Sequence, residues 1–498
     1  MHNLDWIGKW AIYSPNKVAL KDYGSQQELT YQQLNDNALK LADILKSEYG
    51  LKKGDRLMVI AEHSSLYVTL FSVAQKTGII LVPVNYRLSV REIDYLISNC
   101  TPKMVLYELQ FKALVMQITA NNQTAITDTR KLVDQVKSRV YKTDITDPSI
   151  DFDDPLFILY TSGTTGFPKG ALYTHRMLFW NSVNTALSLD IVSDDLTINC
   201  MPAFHTGGWN VLITPLLHKG ATIGMMNKFD ADQVLSLLES ERATIYWGVP
   251  TTLKMMLQSP LFEQADLSAI RYFLSGGEAL PLESIHQWHK KGIKIRQGYG
   301  LTEVGPNITS LHHNDAERKI GSIGRPNFYV ESKLVNESGD EVKPGEIGEF
   351  CLGGNLVTPG YWNNPEATRD AISDGWFHTG DLMKRDEEGY LYVVDRRKSM
   401  FISGGENVYP AEVERVLLSH PAINEAAVIG VKDEKWGEVG KAFIAIKPGK
   451  TPTETEIRDF CIEHLAKYKV PRYFEFIADL PKNDTGKINK KALKSLVL

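Results

Sequence analysis

Residues 160–170 read Tyr160-Thr161-Ser162-Gly163-Thr164-Thr165-Gly166-Phe167-Pro168-Lys169-Gly170. Hydroxyls, glycines free to take positive φ, and one lysine are the parts of an anion cradle. Backbone N–H groups can form its concave floor, and the hydroxyls and ammonium add charge-assisted donors. The chemistry implied is phosphate binding. It is not a Walker A loop, because Lys169 is followed by Gly170 and not by the Ser or Thr that holds magnesium there.

Five more strings carry groups of the same kind. They are Ser275-Gly276-Gly277-Glu278-Ala279-Leu280-Pro281, Gln297-Gly298-Tyr299-Gly300-Leu301-Thr302-Glu303, Trp376-Phe377-His378-Thr379-Gly380-Asp381, Asp395-Arg396-Arg397-Lys398, and Pro481-Lys482-Asn483-Asp484-Thr485-Gly486-Lys487. Each alone has an ordinary explanation: a glutamate after a glycine turn is solvated, an aspartate caps a turn, and a lysine near a basic tail is a surface charge. All six in this order resemble the signatures of the adenylate-forming superfamily, which includes acyl-CoA synthetases, free-standing adenylation domains and firefly luciferase.

That resemblance implies ATP, Mg²⁺ and CoA as reactants and cofactors, and it assigns roles. Thr161, Ser162, Gly163, Thr164, Thr165, Gly166 and Lys169 would hold the β- and γ-phosphates. Glu303 would take Mg²⁺ and Thr302 a nucleotide phosphate. A single positioned carboxylate suffices, since Mg²⁺ takes one or two plus phosphate oxygens. Gly277, Glu278, Ala279, Gln297, Gly298, Tyr299 and Gly300 would surround the adenine. Asp381 and Arg396 would meet the ribose, Lys398 would be a hinge, and Lys487 would be the catalytic lysine bridging substrate carboxylate and α-phosphate. Gly404 and Gly405 would line a pantetheine tunnel, or simply shape the turn before the next helix.

The acid side is read from Pro202-Ala203-Phe204-His205-Thr206-Gly207-Gly208-Trp209. Amino-acid-activating relatives place an aspartate here to pair the ammonium, and this chain has none. His205, Trp209, Trp247, Val249 and Gly276 are the expected walls, mostly apolar, with no arginine for a second carboxylate. A medium- or long-chain fatty acid fits, and an aryl acid is the alternative. An o-succinylbenzoate-CoA ligase would be expected to supply a cation for the distal carboxylate. An acyl-AMP ligase loading a carrier-protein phosphopantetheine and a non-catalytic nucleotide sensor are the remaining alternatives. Three positions depart from the pattern: Asp395 where many relatives have Gly, Ile402 where some have a second-step lysine, and Lys490 for a frequent arginine.

These groups need a scaffold, and the sequence predicts an α/β one. Apolar runs at 56–60, 78–84, 156–160, 221–225 and 243–247 read as buried strands, separated by helical patterns at 66–75 and 230–238. Continuous apolar strands between helices imply two parallel-type sheets covered on both faces. Residues 321–394 turn richer in Gly, Pro and Asp with short alternating strands, suggesting a β-rich subdomain. The expected division is an adenylation domain over 1–395 and a small mobile α+β domain over 396–498. Pro410 suits a first helical turn, 411–419 repeats at helical spacing, Pro421 stops it, and 426–431 reads as a strand.

At 498 residues the chain exceeds one core, and its 43% hydrophobic and 23% charged content is that of an ordinary globular protein. A net charge of −5 gives no general attraction to nucleic acid. Cys100, Cys200, Cys351 and Cys461 are far apart with no CxxC pair, which fits free thiols in a reducing compartment. The N-terminus reads as no secretory signal, and the stretch 66–84 is broken by Gln75-Lys76-Thr77-Gly78. The expectation is a cytoplasmic enzyme acting on small molecules, without nucleic acid and without an integral membrane segment.

Overall fold

A computed structural model describes residues 4–118, 124–141, 145–161, 168–278, 280–403, 406–483 and 486–497. The chain divides into two compact units, Met1–Ser332 with Leu352–Phe377, and Lys333–Cys351 with His378–Leu498.

In the first unit, a six-stranded sheet has the order Ala125–Asp128, Met104–Tyr107, Arg56–Ile60, Ile80–Pro83, Pro155–Thr161, Lys169–Thr174. Neighbours run parallel except the last pair, an antiparallel hairpin. Leu57, Val59, Leu81, Leu156, Phe157 and Ile158 are all wholly buried, as strands covered on both faces must be. The helix predicted at 66–75 is Ser65–Thr77, ended by Gly78 at φ +69°, a left-handed stop that glycine adopts without strain.

A second sheet runs Ile245–Gly248, Tyr272–Gly276, Ile295–Leu301, Gly305–Leu311, Arg325–Pro326, parallel in its first three strands and antiparallel beyond. Asp230 caps the helix Ala231–Ser240 that precedes it, its carboxylate accepting from the Gln233 N–H. A third, four-stranded sheet adds to the two the pattern predicts. Its centre pairs Val18–Asp22 with Thr222–Met225, a long-range match that local periodicity cannot reveal. Trp209, Phe71 and Phe157 cluster in the core, with Trp209 centroids 5.9 Å from Phe71 and 5.1 Å from Phe157.

In the second unit, Asp381–Arg385 of the strand Trp376–Arg385 pairs antiparallel with Leu391–Arg396. A five-stranded sheet follows, Glu406–Val408, Phe401–Ser403, Gly437–Ile446, Ile423–Asp433, with Tyr473–Phe476 pairing Gly437–Ile446. The helix Pro410–Ser419 starts on its proline as expected and ends before Pro421. The strand predicted at 426–431 extends over Ile423–Asp433, because hairpin pairing with Gly437–Ile446 carries it through polar Lys432 and Asp433 to the turn. Phe401, Val413, Val428, Ile444 and Ile457 form the core of this sheet and its helices. No described helix is long and apolar enough to cross a membrane.

Candidate active site

The segment expected to hold phosphate connects two antiparallel strands. Thr161 ends the incoming strand and Lys169 begins the outgoing one, directly opposite each other, and the Thr161 hydroxyl donates to the Lys169 carbonyl at 3.4 Å. Ser162, Gly163, Thr164, Thr165 and Gly166 lie outside the described residues. A P-loop would lead from a strand into a helix; here the lysine is instead held by strand register.

The Lys169 ammonium sits 5.2 Å from the centre of the Tyr361 ring. The Tyr361 hydroxyl in turn donates to Glu303 Oε1 at 2.9 Å. Residues 358–362 are bound into the same corner: the Leu172 N–H donates to the Gly360 carbonyl at 3.1 Å, the Trp362 N–H to the Gly170 carbonyl at 2.7 Å, and the Thr358 N–H to the Glu303 carbonyl at 2.8 Å. Burial, reinforced by the Glu303 charge, pushes the Tyr361 phenol far above its usual range, so it stays a donor. Tyr361 is a residue the motif strings miss. The one signal for it is the Pro359-Gly360-Tyr361-Trp362 string, a polar–aromatic interruption among glycines and prolines.

Thr302 and Glu303 lie in the tight turn between Ile295–Leu301 and Gly305–Leu311, where Leu301 pairs with Gly305. Gly300 is forced: a Cβ there would come within 2.3 Å of the Pro306 backbone. Gln297, Gly298 and Tyr299 precede it on the same strand, and Gly298 pairs with Gly276 on the parallel neighbour. The Gln297 amide oxygen accepts from the Leu280 N–H at 3.3 Å, which ties the loop carrying Gly277 and Glu278 to this strand. Gly277 takes φ +87°; Ala279 lies outside the described residues. Three parallel strands thus end together with their loops on the carboxyl side, where open α/β sheets bind ligands.

The acid-side residues divide. Trp247, Val249, Gly276 and Gly277 come together: a Cβ on Gly276 would lie 3.9 Å from the Trp247 ring, one on Gly277 3.8 Å from Val249, and one on Gly207 2.9 Å from Trp247. His205 is half-buried beside Phe204, ring centroids 4.6 Å apart. Trp209 differs from the pocket wall expected of it. Its ring is wholly buried in the core and its indole N–H donates to the Ala203 carbonyl at 2.7 Å, so it braces the 202–209 segment from behind.

In the second unit, Asp381 and Arg396 face each other in register, and Arg396 Nε stands 3.0 Å from Asp381 Oδ1. A second unforeseen residue, Glu349, anchors this turn. It accepts from the Gly380 N–H at 3.1 Å and the Arg397 guanidinium at 3.4 Å, and contacts His378 Nδ1 at 3.2 Å. Cys351 lies 3.5 Å from the same His378 nitrogen; burial and Glu349 push its thiol up to about 12, and Glu349, Cys351 and His378 form a hydrogen-bonded cluster. Lys398 is exposed in the turn after Arg396. Asp395, one of the departures, accepts from the Ala411 N–H at 2.7 Å and so anchors the start of Pro410–Ser419. Lys490, another, lies 2.6 Å from Glu414, which also accepts from the Val428 N–H. Ile402 is exposed. Lys487 is exposed in a short loop closed by Asn483, whose N–H donates to the Lys487 carbonyl at 2.8 Å. Gly404 and Gly405 lie outside the described residues.

Comparison with known proteins gives the same reading. Residues 8–362 match the family model for AMP-binding enzymes, and residues 412–487 match the AMP-binding enzyme C-terminal domain. A feruloyl-CoA synthase from Amycolatopsis sp. is 37% identical, covering 97% of both chains. A long-chain-fatty-acid–CoA ligase from Mycobacterium tuberculosis is 37% identical, covering 99% of this chain and 98% of that one. Among solved structures, o-succinylbenzoate coenzyme A synthetase from Bacillus subtilis, in complex with ATP and magnesium ion, superposes with a TM-score of 0.88 at 31% identity, covering 98% of this chain and 99% of that one. The chain belongs to the AMP-binding enzyme family.

Proposed function

We propose that this chain is an ATP-dependent acid–thiol ligase that activates an apolar carboxylic acid and passes the acyl group to CoA. In the first step the carboxylate oxygen attacks the α-phosphorus of ATP. The bond to pyrophosphate breaks, and acyl-adenylate and pyrophosphate form. In the second the CoA thiol attacks the acyl carbon, AMP leaves, and the thiol proton goes to solvent. Two anions must be brought in line in the first step, so positioning and charge neutralisation carry it.

The observation that carries this reading is the meeting of Lys169 and Glu303 at Tyr361, a cation for phosphate beside a hard oxygen donor for a metal. Glu303 on its tight turn suits Mg²⁺, which would neutralise phosphate charge when bound. Lys169 would hold the terminal phosphates, Asp381 and Arg396 the ribose, and Lys487 the reacting carboxylate and α-phosphate. The adenylation part would extend to about residue 395, with residues 396–498 moving about Lys398 so that a single site serves both steps. Four buried free cysteines agree with work in a reducing cytoplasm.

A fatty acid suits the apolar surroundings of Val249 and Gly276. An aryl acid is a second reading, favoured by Trp247: its indole N–H meets no acceptor among the described residues, and an acid with a ring oxygen would supply one. Acid-dependent AMP release from Mg·ATP, with and without CoA, decides across butyrate to palmitate, benzoate, a cinnamate and o-succinylbenzoate. CoA-stimulated turnover with one chain class supports the ligase and names its acid. CoA-independent adenylate formation points to a carrier protein as acceptor, and nucleotide binding without turnover to a sensor.

A further inference from the structure

The geometry points to Tyr361 as a positioning residue for both phosphate-handling charges, with its hydroxyl aiming the Glu303 carboxylate and its ring holding the Lys169 ammonium. The inference rests on Glu303 being the Mg²⁺ ligand and Lys169 the phosphate cation.

A site for Mg·ATP needs a carboxylate and an ammonium close together. Left to themselves such groups collapse into an ion pair, and each then loses its ligand. Tyr361 stands where it prevents this. Its hydroxyl occupies Oε1 of Glu303 at 2.9 Å, while the ammonium lies over the ring at 5.2 Å, attracted by the π face. A tyrosine hydroxyl is a neutral hydrogen-bond donor. It therefore orients the carboxylate without neutralising it.

The backbone makes the position rigid. Tyr361 bridges to Ala171 in antiparallel fashion, flanked by the bonds from Leu172 to Gly360 and from Trp362 to Gly170. The Thr368 hydroxyl accepts from the Tyr361 N–H at 2.9 Å. The strand that carries Lys169 and the turn that carries Glu303 are thus stapled through one residue. Displacing the tyrosine would displace both charges.

Two substitutions separate the ring from the hydroxyl. Tyr361→Phe keeps the ring and the packing and removes only the bond to Glu303. A hydrogen bond to a charged group is worth about a factor of ten or more, so the Mg²⁺ concentration for half-maximal adenylation should rise about tenfold. Activity at saturating Mg²⁺ should stay within about twofold of the parent, with Tm unchanged. Tyr361→Leu also removes the ring and lets Lys169 approach Glu303; kcat should then fall about tenfold or more even at saturating Mg²⁺. Glu303→Gln is measured alongside. If E303Q raises the Mg²⁺ requirement and Y361F does not, the role of Tyr361 is overturned while Glu303 keeps its own. If E303Q leaves the requirement unchanged, the metal reading of Glu303 itself fails.

Discussion

Asp381 and Arg396 are each other's partners: the guanidinium stands 3.0 Å from the carboxylate, across a pair of strands that sets the two residues directly opposite. The pairing is unequal. Asp381 is 3% exposed, while the Arg396 side chain is more than half open to solvent. The carboxylate is the fixed member and the arginine the solvent-exposed one.

Replacing each member should therefore do different things. Asp381→Asn keeps the shape but loses the charged acceptor, and KM for ATP should rise about tenfold or more with Tm nearly unchanged. Arg396→Ala removes one of the contacts that hold the Asp381 carboxylate, so Tm should fall in addition to any loss of ATP affinity. Equal Tm values for the two variants would contradict this inequality.

Lys487 and Lys398 should separate the half-reactions. Lys487→Ala is expected to cut acid-dependent pyrophosphate exchange by about a hundredfold or more, while thioester formation from supplied acyl-adenylate survives. Lys398→Pro should do the reverse, leaving exchange largely intact and blocking transfer to CoA. Proportional loss of both half-reactions in Lys398→Pro would remove the case for a hinge there.

Acid should unfold the protein partly through His63. Its imidazole is wholly buried, its Nε2 lies 2.7 Å from the Asn199 amide nitrogen, and burial lowers its pKa from 6.5 to about 4. Below pH 6.5 the unfolded chain takes up a proton that the folded chain refuses until about pH 4. The stability this residue contributes is thus full above 6.5 and lost as pH falls toward 4, by up to about 3 kcal/mol. Urea titrations from pH 7 to pH 4 check it: His63→Gln should have a shallower acid limb than the parent.

Gly300→Ala is expected to cost about 3 kcal/mol and to abolish Mg·ATP binding. The added carbon would lie 2.3 Å from the Pro306 backbone, and relieving that contact must open the turn bearing Thr302 and Glu303. Calorimetric titration with Mg·ATP and a thermal melt of the same preparation measure both effects.

The sequence carries the strands at 56–60 and 156–160, the Pro410 helix and the order of the motifs, because these depend on local periodicity and on residues with one evident chemical use. It does not carry Tyr361, whose placement comes from an isolated antiparallel bridge between residues 171 and 361. Glu349 is hidden for a similar reason, since its partners Gly380 and Arg397 arrive by strand pairing. Trp209 misleads in the opposite direction: an aromatic beside glycines suggests a pocket, but only the packing against Phe71 and Phe157 reveals an interior residue. Asp395 is an exception from the pattern on paper and a helix anchor in space.

The hairpin that delivers Lys169 restricts how the gene can change. Successive side chains of a strand point to opposite faces, so a one-residue insertion or deletion between Lys169 and Ala171 would send the lysine to the opposite face and away from Tyr361. Indels should be lethal to activity between Lys169 and Ala171, where they shift the lysine against the bridge to Tyr361. Natural variants, aligned on this strand, would keep the spacing from Lys169 to Ala171, the bridge partner of Tyr361.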